Sequence, residues 1–217
     1  MRIAKSIVLS FVMDLLRHIS GPLGVRLRRI VYRSCLCRCG KGLVIDTGVS
    51  LIEPGWISVG DNVWIDKNVV IIAGPAPCQE RVEVRTNGSG TVEPGRVTIG
   101  SGAHIGIGTV IQGHGGIMIG ERFTTSPYCL IFSRSNDYRK CREGTRKVEN
   151  EAIYYLETPV CIGNNVWLGA HVSVFGHAIG SDTFVRPGSL VISDIAPNSV
   201  ADGNPATWVR YRFTPTD

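Results

Sequence analysis

Apolar and polar positions follow one another along this chain with an unusual beat. From about Ile57 onward an aliphatic residue returns every six positions, usually followed by a small or acidic one. The clearest run is Ile162-Gly-Asn-Asn-Val-Trp, Leu168-Gly-Ala-His-Val-Ser and, after one short unit, Ile179-Gly-Ser-Asp-Thr-Phe and Val185-Arg-Pro-Gly-Ser-Leu. The same beat recurs from Val59, Ile65, Ile99 and Ile105. A period of six fits neither the 3.6-residue turn of an amphipathic helix nor simple strand alternation. It predicts a parallel β-helix, in which each short strand and its turn form one face of a coil, with the aliphatic residue pointing into the stack.

Regular coils build the scaffold of a solenoid, and interruptions build its site. Four interruptions stand out. Residues 73–96 are rich in Gly and Pro and predict an exposed inserted loop. The step from Ile111 to Ile119 is eight positions, so Gly113-His-Gly-Gly116 is expected to bulge from the surface. Residues 132–160 hold no hexads but much charge, from Ser133-Arg-Ser-Asn-Asp-Tyr138 to Glu157, and predict a long projecting loop. Val174-Phe-Gly-His-Ala178 precedes Ile179 by only five positions, a shortened corner.

The N-terminal segment has a different period. Ile3, Ile7, Val8, Phe11, Val12, Leu15, Leu16 and Ile19 recur at three- and four-residue spacing, one helical face that Gly21-Pro22 ends. Val25, Leu27, Ile30 and Val31 follow, mixed with Arg26, Arg28, Arg29 and Arg33. Residues 1–40 thus form a basic helical arm, 41–210 the β-helix, and 211–217 a tail. The first stretch is too short and too polar to span a bilayer and is not followed by a small-residue cleavage site. Two compatible readings stay open for the arm: a cap over the unpaired end of the β-helix, or, through residues 1–36, a basic amphipathic contact with anionic lipid.

Charge sharpens this picture. Residues 1–40 carry Lys5 and seven arginines against Asp14 alone, while the whole chain of 217 residues is only +5, so the basicity belongs to the arm. Basic residues confined to one short arm without interleaved aromatics argue against a nucleic-acid partner. Seven cysteines, with no C-x-x-C pair and no His completing Cys35-Leu-Cys-Arg-Cys39, point to reduced structural thiols in a cytoplasmic protein and to no metal site. Of the histidines, His18 reads as amphipathic surface, His104 and His171 as turn or flank residues, and His177 as ambiguous. His114 has the most chemical promise, because it stands between glycines on the expected bulge.

The stretch Pro159-Val-Cys-Ile-Gly-Asn-Asn-Val-Trp-Leu-Gly-Ala-His171, with the ending Val191-Ile-Ser-Asp-Ile-Ala-Pro-Asn-Ser-Val-Ala-Asp-Gly-Asn-Pro-Ala206, resembles the hexapeptide-repeat acyltransferases. Within them it is most similar to the sugar O-acetyltransferases of galactoside, maltose and capsular-polysaccharide type. The resemblance covers roughly residues 40–210. It implies an all-β solenoid: a left-handed parallel β-helix with an N-terminal helical arm and a projecting loop. It further implies a homotrimer with acetyl-CoA bound between subunits, and a sugar or glycan acceptor, plausibly lipid-linked and destined for a surface polysaccharide. By the same resemblance Trp167, Gly169 and Ala170 wall the pantetheine arm, Gly188 and Ser189 form a later corner near the cofactor, and Asn204 and Pro205 close over its nucleotide end. Arg186 or Arg210 would meet the phosphates where the family often carries a lysine.

The family's loop histidine deprotonates the acceptor hydroxyl. Here Asn136, or Ser135 beside it, occupies the corresponding position. His114 is the first substitute, Asp137 the second, and loss of catalysis in favour of a trimeric scaffold the third possibility. An N-acetyltransferase acting on an amino sugar is the alternative within the same fold.

Overall fold

The computed structural model describes residues 11–75, 81–84, 92–137, 139 and 154–214. Three parallel sheets form the faces of a prism. The first face stacks six strands from Arg38–Cys39 through Ile57–Val59, Val97–Ile99, Ile117–Ile119 and Val160–Ile162 to Ala178–Ile179. The second begins with Val44–Ile45 and Trp64–Ile65, continues through His104–Ile105, Thr124–Thr125, Trp167–Leu168 and Phe184–Val185, and ends in the hairpin Ser199–Gly203/Ala206–Tyr211. The third contains Ser50–Ile52, Val70–Ile72, Val110–Gln112, Leu130–Phe132, Ser173–Phe175 and Leu190–Val191. The chain visits the faces in this order on every coil, and the helix is left-handed, an exception to the usual right-handed crossover.

The hexad residues align vertically and fill the prism. Ile45, Ile65 and Ile105 stack on the second face, and Ile71, Ile111 and Ile131 on the third. All six are buried in one core cluster. Two corners have fixed stereochemistry. Gly42, Asn62, Gly102, Arg122, Asn165, Asp182 and Asn198 turn the chain from the first face to the second with φ between 53° and 72°. Gly48, Asn68, Gly108, Tyr128, His171 and Gly188 do the same between the second and third faces. The left-handed region favours Gly, Asn and Asp, which is why the repeat reads Gly-Asn-Asn or Gly-Ser-Gly after its aliphatic residue. His171 occupies such a corner and stacks on Tyr128 with ring centroids 5.5 Å apart. The glycine of each Ile-Gly pair answers to a different constraint. A methyl group on Gly100 would lie 2.5 Å from the Gly120 carbonyl, and one on Gly163 2.5 Å from the Ser181 nitrogen.

The third-to-first corner departs from the sequence expectation. Ile117 as well as Ile119 is buried, and Ile117 pairs in register with Val97 and Val160. The eight-residue step is thus a two-residue-longer corner, seen also where Ile57 and Val59 follow Leu51. It is no isolated bulge: Gly113, Gly115 and Gly116 are buried. Both inserted loops leave from this same corner, on the coils immediately before and after His114. Parts of them pair with each other: Arg81–Val84 runs parallel to Tyr154–Glu157, which runs antiparallel to Arg134–Asn136. Residues 76–80, 85–91 and 140–153, with Cys78 and Cys141, lie outside the described residues. The five described cysteines are free thiols, and burial pushes the Cys129 thiol up to about 11.

The arm is a cap. Residues 11–17 and the helix Gly21–Cys35 lie over the first coil, burying Met13, Leu16, Tyr32 and Leu36. Residues 1–10 of the expected arm lie outside the described residues. Arg28 is fully buried. Its Nε donates to the Ile45 carbonyl at 3.0 Å, and its Nη1 to the carbonyls of Leu16 and Ile19 at 2.9 and 2.7 Å. Desolvation lowers the Arg28 pKa, and the Asp46 charge works in the opposite direction. The three carbonyls join the turn between the two helical segments to the first coil, and one side chain satisfies all of them. Arg28→Met preserves bulk and removes every donor. We expect it to cost about 2–4 kcal/mol and to release the arm to limited proteolysis while the coils stay resistant, as read by mass spectrometry of the fragments.

Candidate active site

The corner Gly113–Gly116 is held on three sides. The Gly113 amide donates to the Ile72 carbonyl, and the Gly95 amide donates to the His114 carbonyl at 2.7 Å. Ser133 Oγ accepts from the Gly115 amide and donates to the Gln112 carbonyl, both at 2.9 Å. His114 Nδ1 lies 2.9 Å from the Gly74 carbonyl oxygen. A carbonyl can only accept, so Nδ1 carries the proton and Nε2 of the neutral ring is left as a proton acceptor. The residue that fixes this tautomer stands forty positions earlier, at the root of the first insertion.

His114 lines a cleft of about 570 Å³ together with Asn136, Ser135 and Gln112. The structure therefore brings His114 and the loop position into one cavity. Asp137 is not part of its lining. It is 1% exposed, and its carboxylate accepts from the Arg139 backbone amide at 3.2 Å and from Arg139 Nε at 3.3 Å. Ser135 and Asn136 are exposed while Arg134 and Asp137 are buried, so the backbone leaves strict alternation here and Asp137 turns inward beside Arg139.

Sequence reasoning missed the cleft's aromatic wall. Phe132 and Phe175 sit opposite each other in register on adjacent coils, edge to face with centroids 5.4 Å apart. Tyr155 lies beside them, its ring under the Arg134 guanidinium at 3.4 Å from the centroid. The signal was available: Phe132 and Phe175 each end a third-face strand, but the 132–160 insertion hides their equivalence in a linear reading.

The residues expected at the cofactor lie elsewhere on the prism. Trp167 stands outward on the second face, 46% exposed. Its Nε1 donates to Ser126 Oγ at 3.1 Å, and its ring packs against Phe184 at 5.1 Å. Gly169 and Ala170 open the second-to-third corner; Gly169 donates to the Val185 carbonyl, and Gly188 on the next coil donates to the Ala170 carbonyl. Gly188 is exposed, and a methyl there would meet nothing within 4 Å. Ser189 is 2% exposed and accepts from the Gly203 amide at 3.2 Å, a hairpin anchor rather than an open surface group. Arg186 Nη1 donates to Asp202 at 2.9 Å, so a phosphate would compete with a carboxylate already in place. Arg210 is exposed on the hairpin, and its guanidinium donates to the next residue's carbonyl at 3.3 Å. Asn204 and Pro205 form the exposed hairpin tip, joined by a cis peptide bond. Within one chain these residues and His114 belong to different edges of the prism, with the width of the third face between them.

Three other histidines, His104, His171 and His177, have structural partners. His104 is not in a turn: it lies outward on a second-face strand, with Nε2 2.9 Å from an Asp66 carboxylate oxygen. His177 Nδ1 contacts Asp194 at 3.1 Å. Among the described residues no group of three His, Cys, Asp or Glu side chains could hold a metal ion.

No protein-family model matches the chain. The Escherichia coli K12 galactoside O-acetyltransferase is 28% identical over 162 residues, which are 74% of this chain and 66% of that relative. A protein of Staphylococcus aureus (strain Mu50) is 45% identical over 58 residues, 29% of its own length. The chain thus spans less than two thirds of these relatives. Among solved structures, a mutant of AntD, an N-acyltransferase from Bacillus cereus in complex with dTDP-4-amino-4,6-dideoxyglucose and coenzyme A, superposes with a TM-score of 0.69 at 21% identity, covering 87% of this chain and 91% of that one. A maltose O-acetyltransferase from Clostridium difficile superposes at 0.61 and 20% identity, covering 96% and 87%. The fold is the one these acyltransferase structures share, and the sequence similarity is to the galactoside O-acetyltransferase.

Ser133 ties the His114 corner to the second insertion through one buried hydroxyl. Ser133→Ala leaves the Gly115 amide unpaired, while the Gln112 carbonyl keeps the Ser133 backbone amide at 3.0 Å, and is expected to lower stability by about 1–3 kcal/mol, measured as a drop in thermal midpoint.

Proposed function

We propose that this protein is an acetyl-CoA-dependent O-acetyltransferase acting on a sugar hydroxyl. The observation that carries this reading is the His114–Gly74 contact. It holds one tautomer, with the basic nitrogen free, in a cleft that also holds Asn136. A sugar hydroxyl is almost fully protonated at neutral pH, so its attack on a thioester needs a group that takes the proton as the bond forms. His114 Nε2 takes that proton and returns it to the departing sulfur, which becomes the free thiol of coenzyme A. Phe132 and Phe175 offer an apolar wall of the kind that packs against a sugar ring, and Asn136, Ser135 and Gln112 offer neutral hydrogen-bonding groups for its hydroxyls. Asn136 cannot be the base, because an amide has no proton-accepting nitrogen at neutral pH; its role is to orient the acceptor. Trp167, Gly169, Ala170 and Gly188 form the pantetheine side, and exposed Arg210 suits the phosphates better than Arg186, which Asp202 already holds. The acceptor is a lipid-linked glycan unit in surface-polysaccharide assembly, and the enzyme works on the cytoplasmic side, where acetyl-CoA is made.

The catalytic and cofactor candidates lie on different edges of one prism, so we propose a homotrimer in which His114 of one copy meets the Trp167 edge of the next. The third face supports this, since it turns Val70, Ile72, Val110, Leu130 and Phe132 outward. An apolar face of that kind needs a cover. Size-exclusion chromatography with light scattering should give three times the chain mass at micromolar concentration; a monomer would end the shared-site reading.

Catalysis is tested by thiol release from acetyl-CoA with a panel of sugar acceptors. His114→Ala should lower kcat/KM by about 10²–10⁴-fold with coenzyme A binding nearly unchanged. Asp137→Asn should alter stability more than turnover, and Asn136→His reports whether the loop position still faces the thioester. An N-acetyltransferase reading is supported by the amino-sugar complex of the B. cereus structure and predicts turnover with amino sugars only. No thiol release with any acceptor would favour a scaffold.

A further inference from the structure

The capping arm has a second apolar stripe that the cap does not use. Around the helix Gly21–Cys35, Gly24, Arg28 and Tyr32 are buried against the first coil. Leu23 and Ile30, seven positions apart and therefore on one line of the helix, point the other way and are 63% and 69% exposed. Phe11 and Leu15 repeat the arrangement on the preceding segment at 70% and 60% exposed, while Met13 and Leu16 face inward. Arg26, Arg29 and Arg33 are exposed along the border of the Leu23–Ile30 stripe, and the helix contains no acidic residue. The nearest carboxylate on the arm, Asp14, is paired with Arg17 at 2.9 Å. Among the described residues no helix is long and apolar enough to cross a membrane.

We propose that this face docks on the surface of an anionic lipid bilayer, lying in the headgroup plane with Phe11, Leu15, Leu23 and Ile30 inserted and the arginines on lipid phosphates. Charge decides for this occupant. An apolar partner protein would not need a guanidinium border, and a second copy of the same face would set Arg26, Arg29 and Arg33 against like charges, whereas a bilayer of acidic phospholipid meets both halves of the surface at once. Because the buried face of the helix is already spent on the coil, docking needs no unfolding of the cap. In the trimer proposed above, threefold rotation places three such faces at one height, so weak contacts would act together; that multiplicity rests on the trimer, but the docking face does not.

The test is co-sedimentation of the full chain with vesicles. Binding is expected to vesicles of three parts phosphatidylcholine to one part phosphatidylglycerol in 50 mM salt. It should be lower by about tenfold in 500 mM salt, where screening shortens the reach of the arginines, and weak on pure phosphatidylcholine. The double variant Leu23→Ser/Ile30→Ser and the triple variant Arg26→Gln/Arg29→Gln/Arg33→Gln should each reduce binding by about tenfold. Their circular dichroism should be unchanged, because none of these side chains is in the core. Equal binding by wild type and both variants, or no binding to either vesicle type, would overturn the proposal. So would light scattering that shows the wild type as a larger assembly which the Leu23→Ser/Ile30→Ser variant splits, since that assigns the face to a second copy. Thiol release is independent of vesicle binding, so failure here would leave the acyl-transfer reading standing.

Discussion

Everything in this molecule depends on coils stacking at the spacing of adjacent β-strands. That spacing leaves no room between layers for a side chain just after each first-face strand, where the chain must pass its neighbour backbone to backbone. The column through Gly100, Gly120 and Gly163 meets this demand, with an added methyl falling within 2.7 Å of the next coil in each case. The interior then takes one aliphatic residue from most second- and third-face strands and two from first-face strands such as Ile57–Val59 and Ile117–Ile119, and β-branched residues with few rotamers fill it at low entropic cost.

A stack this regular can be interrupted only where a corner is already loose. The third-to-first corner varies in length, with two residues more than a strict hexad between Ile111 and Ile119 and one fewer between Val174 and Ile179, and both insertions emerge there. Their strands pair to form a wall over His114, and the carbonyl of Gly74 at the root of one insertion sets the histidine's tautomer. The site is thus assembled from four successive coils, from Gly74 to Phe175, and its chemistry depends on vertical neighbours that lie far apart in the chain.

The same separation accounts for the division of the expected site. Groups on the second-to-third corner and groups on the third-to-first corner are held rigidly apart by the face between them. A reaction that needs both must draw on a neighbouring copy. The outward aliphatic residues of that face supply a physical reason for copies to meet there.

The amino-acid pattern by itself determined the fold, because its six-residue period and its Gly-Asn corners state directly which residues point inward and where the backbone must turn left-handed. It also marked His114 and the two insertions. It could not show that Ile117 belongs to the core, that the glycines around His114 are buried, or that Asp137 turns away from the cleft toward Arg139, because each of these is settled by what lies one coil above or below. The pairing of Arg186 with Asp202 and of Phe132 with Phe175 was hidden for the same reason. Periodicity is a local property of the chain and can be read along it, whereas the partners of a side chain in a solenoid are vertical, and only the tertiary structure decides which residues those are.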